Sequence, residues 1–243
     1  MPRAPANPLC VALDTADTSR CLALADRVAH SVGALKVGIT AYAAGGPDLV
    51  QAVGERAPVF LDLKWHDIPA QVHGAATVAA SLDVRWATVH AAGGADMVRA
   101  AVEGADGAVT VLAVTVLTSI DRGVLDATGV ADALGDQVVR LADLALAAGA
   151  GGLVCSPREL RGLRQRFGPR AQGGPVLVAP GIRAAGSRRD DQRRTSSVTD
   201  AVADGADLVV VGRPVTSAPD PGVEALRLSR AVAAQGARAQ ARA

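Results

Sequence analysis

Eight short apolar runs, each followed by a segment of helical character, constrain this chain more than any other feature. They lie at residues 9–13, 34–37, 59–63, 86–89, 109–116, 152–155, 176–179 and 208–211. Runs that are apolar on both faces and separated by helices mark a parallel sheet covered by helices, because a parallel crossover needs a long connection of that kind. Eight such units in 243 residues point to an α/β fold, a (β/α)8 TIM barrel built as a single domain. The alternative is an open doubly wound sheet. The expected domain spans residues 1–243, with flexible ends at 1–8 and 232–243, where the chain is rich in Pro at one end and in Ala, Arg and Gln at the other.

The carboxyl ends of these runs carry the polar residues. Asp14 ends the first, Lys36 the second, Asp62 and Lys64 the third and His90 the fourth; Thr118 and Ser119 follow the fifth, and Gly212-Arg213 the eighth. In a barrel those ends converge on one mouth, where barrel enzymes place their chemistry. Within a strand Asp62 and Lys64, two residues apart, project to the same face, whereas on a helix they would sit about 200° apart. Asp67 adds a second carboxylate, and Ile68-Pro69 then biases the chain toward an extended turn and a helix start. A bare Asp-x-Lys reads as an exposed ion pair of little consequence. Convergence of Asp14, Lys36, Asp62 and Lys64 from three neighbouring strands reads instead as a site, in which each charge favours the ionised form of its opposite neighbour.

The formal net charge of +1 argues against a chain that coats nucleic acid or an anionic membrane, so any anion site must be local. Cys10, Cys21 and Cys155 have no C-x-x-C spacing and no histidine placed to complete a zinc site; they read as reduced packing residues of a cytoplasmic protein. No span of about 20 apolar residues is present and residues 1–8 lack an apolar signal core, so no membrane association is expected. His30, His66, His73 and His90 read as packing or hydrogen-bonding histidines rather than proton shuttles.

Anion chemistry is expected near the C-terminus. Pro180 and Arg183 close the seventh unit, and residues 184–194, which include Gln192, form a long polar loop with the character of a lid. Barrel loops after strands seven and eight often bind phosphate. There Gly212 allows close backbone approach and Arg213 offers a bidentate fork. Pro157 is expected to open one helix and Asp220 to cap the last.

With these residues laid out, the chain resembles the bacterial-type orotidine 5′-phosphate decarboxylases. The likeness is carried by Val11-Ala12-Leu13-Asp14, Lys36-Val37-Gly38, Asp62-Leu63-Lys64-Trp65-His66-Asp67-Ile68-Pro69, Val116-Leu117-Thr118-Ser119, Ala179-Pro180-Gly181-Ile182-Arg183, Asp191-Gln192-Arg193-Arg194 and Val211-Gly212-Arg213-Pro214-Val215. The ordered set is specific although no single tripeptide is. The resemblance implies a homodimeric barrel with shared active sites, converting orotidine 5′-phosphate to uridine 5′-phosphate and carbon dioxide with no metal and no organic cofactor. It implies Lys64 as proton donor, Asp62 beside the departing carboxylate, Lys36 in the same charge network and Asp67 reaching into the partner's site. It further implies Asp14 and Lys36 at the ribose, Thr118 and Ser119 at the pyrimidine edge, and Arg183, Gln192, Gly212 and Arg213 at the phosphate, with Ile68, Gln71 and Pro180 lining the substrate. One departure stands out: Ala70-Gln71 follows Pro69 where the family usually carries Asn and a Thr-like residue, so the expectation at Gln71 rests on its backbone. Two rivals remain, a magnesium-dependent sugar-phosphate barrel sharing Asp-x-Lys-x-x-Asp, and a silent nucleotide-binding barrel.

Overall fold

The computed structural model describes residues 7–181 and 197–240, with side chains to residue 235. Its elements, in chain order, are β1 (Leu9–Ala12), α1 (Thr18–Val28), β2 (Ala34–Gly38), α2 (Ile39–Gly54), β3 (Val59–Trp65), α3 (Pro69–Ser81), β4 (Trp86–His90), α4 (Ala95–Ala105) and β5 (Thr110–Val114). There follow α5 (Arg122–Ala127), α6 (Leu134–Ala147), β6 (Gly152–Val154), α7 (Leu160–Phe167), β7 (Val176–Ala179), α8 (Val198–Ala203), β8 (Leu208–Val211), α9 (Arg213–Thr216) and α10 (Pro221–Gln240). Each of the eight apolar runs coincides with one strand, give or take a residue or more at its ends. The strands pair in parallel in the order of the chain and close between β1 and β8, so the sheet is a barrel and the open alternative is excluded. At the seam the Val209 amide donates to the Pro8 carbonyl at 2.7 Å.

Local sequence explains where the helices begin. Asp17 accepts from the Arg20 amide at the start of α1, and Pro69 opens α3 where its missing N–H has no helical partner to lose. Ser156 and Glu159 form a reciprocal capping box around Pro157 ahead of α7, and Asp220 accepts from the Val223 amide at the head of α10. Helix α10 continues through Gln240, past residue 232, the expected start of the tail, because Ala, Arg and Gln are strong helix formers. At the other end Asn7 already belongs to the fold, its amide bonding the Ser31 carbonyl and the Ser229 hydroxyl.

Two apolar clusters divide the strand residues between them. Alternate residues, among them Leu9, Val11, Leu35, Val37 and Leu61, join the helices in one large core. The intervening ones, among them Cys10, Ala12, Ala34, Phe60, Trp86, Leu112, Val154, Val178 and Val210, form a second cluster that fills the barrel interior. Lys36, Asp62 and Thr88 continue that inward series two residues beyond Ala34, Phe60 and Trp86. The interior is therefore apolar at the bottom and charged toward the carboxyl ends of β1 to β3, with the hydroxyl of Thr88 on β4 beside them.

Candidate active site

The charged groups form one continuous chain. The Lys36 ammonium lies 2.9 Å from Asp14 Oδ1 and 3.4 Å from Asp62 Oδ2, and the Lys64 ammonium lies 2.9 Å from both Asp62 oxygens. Lys36 and Asp62 are only 7% and 8% exposed, whereas the Lys64 side chain keeps a third of its surface open to the mouth. Removing charges from water is costly, and here alternation offsets the cost. Burial works against the charged form of Lys36, but Asp62 and Asp14 outweigh it and its pKa is raised. Burial likewise pushes the Asp62 carboxyl up, yet Lys36 and Lys64 together with their hydrogen bonds hold it below the usual carboxylate range. Deeper in the barrel, burial drives the Cys10 thiol well above the ordinary thiol range, with Lys36 opposing and Asp62 and Asp14 adding to the shift, so it stays a neutral filler.

Gly38 ends β2 beside this chain. A methyl group there would sit 2.5 Å from Asp14 Oδ1 and 2.8 Å from Lys36 Nζ, so only glycine leaves room for that ion pair as it stands.

Asp62 and Lys64 meet by a route that regular strand alternation does not describe. The β3–β4 register runs Leu61 against Ala87 and then Trp65 against Val89, so three residues, Asp62 to Lys64, stand opposite the single residue Thr88. Within this bulge Lys64 takes φ of 54°, a left-handed conformation unfavourable for a residue with a Cβ. Thr88 sits wholly buried beneath the bulge. Its hydroxyl oxygen accepts from the Lys64 amide at 2.8 Å and the hydroxyl donates to Asp62 Oδ1 at 3.0 Å. Sequence reading missed this residue, because a threonine in an apolar strand is indistinguishable from an ordinary strand former. Its one signal was position, two residues past Trp86 and two before His90 on the inward face.

The remaining expected residues lie around the same mouth but outside the chain of ion pairs. Asp67 is exposed on the turn after β3, where its Oδ1 accepts from the Ile68 amide at 2.7 Å, and it makes no ion pair with any described residue of its own chain. Ile68 is 63% exposed, and Gln71 lies exposed in the first turn of α3. Thr118 and Ser119 form a turn closed by the Ile120 amide on the Leu117 carbonyl. Pro180 follows β7, while Gly212 and the exposed Arg213 open α9 after β8. Arg183, Gln192 and the expected lid fall outside the described residues. His66, just after β3, and His90, at the end of β4, lie with ring centroids 5.5 Å apart and their planes tilted by 40°. Burial, then His66 and Lys64, lower the His90 pKa against the opposing pull of Asp62.

The comparisons with known proteins agree with this geometry. Residues 7–228 match the model of the Orotidine 5′-phosphate decarboxylase / HUMPS family. The orotidine 5′-phosphate decarboxylase of Anaeromyxobacter sp. (strain K) is 52% identical over 231 residues, spanning 95% of this chain and 98% of that protein. That of Thermobifida fusca (strain YX) is 48% identical over 234 residues, spanning 96% and 98%. Among solved structures, orotidine 5′-phosphate decarboxylase from Lactobacillus acidophilus superposes with a TM-score of 0.81 at 32% identity, over 93% of this chain and 99% of that one. An inward chain of alternating ammonium and carboxylate groups at the mouth of a closed parallel barrel thus coincides with near full-length similarity, and the chain belongs to the orotidine 5′-phosphate decarboxylase / HUMPS family.

Proposed function

We propose that this protein removes the carboxylate of orotidine 5′-phosphate as carbon dioxide, leaving uridine 5′-phosphate, the last step of UMP biosynthesis. The unbroken chain Asp14–Lys36–Asp62–Lys64, with its outer ammonium open to the mouth, carries this reading. When the carbon–carboxylate bond breaks, its electron pair stays on the pyrimidine carbon. Without a delocalising ring or metal-bound carbonyl, that pair must be met by a fixed positive charge and a proton. Lys64 supplies both: its ammonium transfers a proton to the carbon and becomes an amine, which water then reprotonates. Asp62 and Lys36 hold that ammonium in place, and Asp62 lies beside the departing carboxylate. Asp14 and Lys36 take the ribose hydroxyls, and the turn at Thr118 and Ser119 takes the pyrimidine edge. Arg183, Gln192, Gly212 and Arg213 take the phosphate end, while Ile68, Gln71 and Pro180 line the substrate. Lys64 has no second carboxylate within its own chain among the described residues, which favours a homodimer in which the partner subunit's Asp67 completes each site.

The protein is assigned to the cytoplasm, in keeping with three buried cysteines that form no disulfide; among the described residues no helix is long and apolar enough to cross a membrane. The test is loss of substrate absorbance when purified protein, treated with chelator, is given orotidine 5′-phosphate. Unimpaired turnover supports the reading. Turnover of a sugar phosphate that is lost on chelation would replace it with the magnesium-dependent branch. For the dimer, Asp67→Ala and Lys64→Ala subunits, each inactive alone, should regain activity when mixed, since one site of a heterodimer then has every residue intact. A mixture that stays inactive after verified subunit exchange would refute shared sites.

A further inference from the structure

A bulge in a parallel sheet strands backbone groups that the ladder would have paired, and a buried N–H left without a partner is expensive. In β3 three residues face one on β4, and that one residue, Thr88, satisfies the stranded amide of Lys64 with a side-chain oxygen instead of a carbonyl. The directions of the two hydrogen bonds follow from chemistry. An amide can only donate and an ionised carboxylate can only accept, so the hydroxyl oxygen takes the Lys64 N–H and the hydroxyl proton goes to Asp62. One atom therefore joins the backbone that carries the ammonium to the carboxylate that holds it.

Resting on the functional reading above, we propose that Thr88 is a positioning residue for decarboxylation: its hydroxyl, bonded at once to the Lys64 amide and to Asp62, fixes where the Lys64 ammonium stands over the reacting carbon. Thr88 does not itself reach the mouth; it is wholly buried and acts through its two partners. The strained φ of Lys64 gives this bond its importance, because a left-handed lysine relaxes unless its surroundings hold it. Lys64 and Asp62 would still attract one another without Thr88, but the ammonium would share its time among several positions. Productive proton transfer requires one.

A purely structural role, filling the barrel beneath the bulge, would be served equally well by valine, which has nearly the same shape. The test compares Thr88→Val with Thr88→Ser. Thr88→Val should lower kcat by about tenfold to a hundredfold, the size of one hydrogen bond to a charged group, while KM stays within about threefold because the phosphate and ribose contacts are untouched. Thr88→Ser, which keeps the hydroxyl and loses the methyl, should retain kcat within about threefold. Independently of activity, the Lys64 amide should exchange slowly with solvent in the wild type and in Thr88→Ser, and at least about tenfold faster in Thr88→Val. Should the valine variant not fold, Thr88→Ala against Thr88→Ser asks the same question, since both lose the methyl and only serine keeps the hydroxyl. Unchanged kcat in Thr88→Val, or equal losses in the alanine and serine variants, would overturn the proposal. Wild-type protein inert toward orotidine 5′-phosphate would sink the functional reading instead, and amide exchange would still decide whether Thr88 governs Lys64.

Discussion

Lys64 stands on a left-handed backbone, beside a buried carboxylate, with a third of its side chain open to the mouth. Replacing it with alanine should therefore separate chemistry from binding. Lys64→Ala should lose well over ~10-fold in kcat, a barrier rise above ~1.4 kcal/mol, while uridine 5′-phosphate binding, read by calorimetry, changes little. Activity above a tenth of wild type would remove Lys64 from the role of proton donor. Gly38→Ala probes the other end of the chain. The atoms its methyl would meet are side-chain tips that can swing away, so thermal stability should hardly change, yet Asp14 must leave Lys36 and kcat/KM should drop by about tenfold. A variant that keeps full activity would show that the 2.9 Å pair is dispensable. At this scale much was legible from sequence: charged residues at the ends of apolar strands announce themselves, because burial of a charge demands a reason. Thr88 and the bulge were not, since both depend on the register between two strands, and register is not written in either strand alone.

Elements were easier to foresee than their exact extent. Strand positions followed from apolar runs, and helix starts from Pro69, Pro157 and Asp220. The reach of α10 to Gln240 was missed because helix propensity and the look of a polar tail point in opposite directions in that sequence. Packing between elements was also invisible. Helix α4 lies against α3 so closely that a methyl group at Gly104 would come within 2.3 Å of the His73 carbonyl oxygen and 3.1 Å of Ala76 Cβ. Backbone, unlike a side-chain tip, cannot swing aside. Gly104→Ala should destabilise the fold by about 1–3 kcal/mol, lowering Tm by roughly 2–4 °C for each kcal/mol in a chain of this size. An unchanged Tm in scanning calorimetry would mean that the two helices part without cost.

For the molecule as a whole, pH acts on stability through groups whose pKa differs between folded and unfolded chains. Asp62 is lowered when folded, so its contribution is complete above the unfolded value of 3.8 and disappears as pH falls through the folded one. Lys36 is raised, so its contribution is complete below 10.5 and disappears as pH climbs through the folded value. Neither titrates near neutrality. His90 does: its folded pKa lies below 6.5, so the unfolded chain takes up the proton first and stability declines as pH drops. Wild-type Tm should fall between about pH 7 and pH 5, and His90→Gln should flatten that decline; identical slopes would clear His90 of any part in it. The closure of the sheet has a further consequence, for a chain still being made. Every member of the ion-pair chain, and Thr88 beneath it, is synthesised by the end of β4, but β1 finds its second neighbour only when β8 arrives and the Val209 amide meets Pro8. A ribosome that stopped short of Leu208 would release a product carrying the whole charged cluster and two bare sheet edges, and unpaired edges recruit one another. Premature termination before the last strand would thus yield aggregates rather than a weakened enzyme.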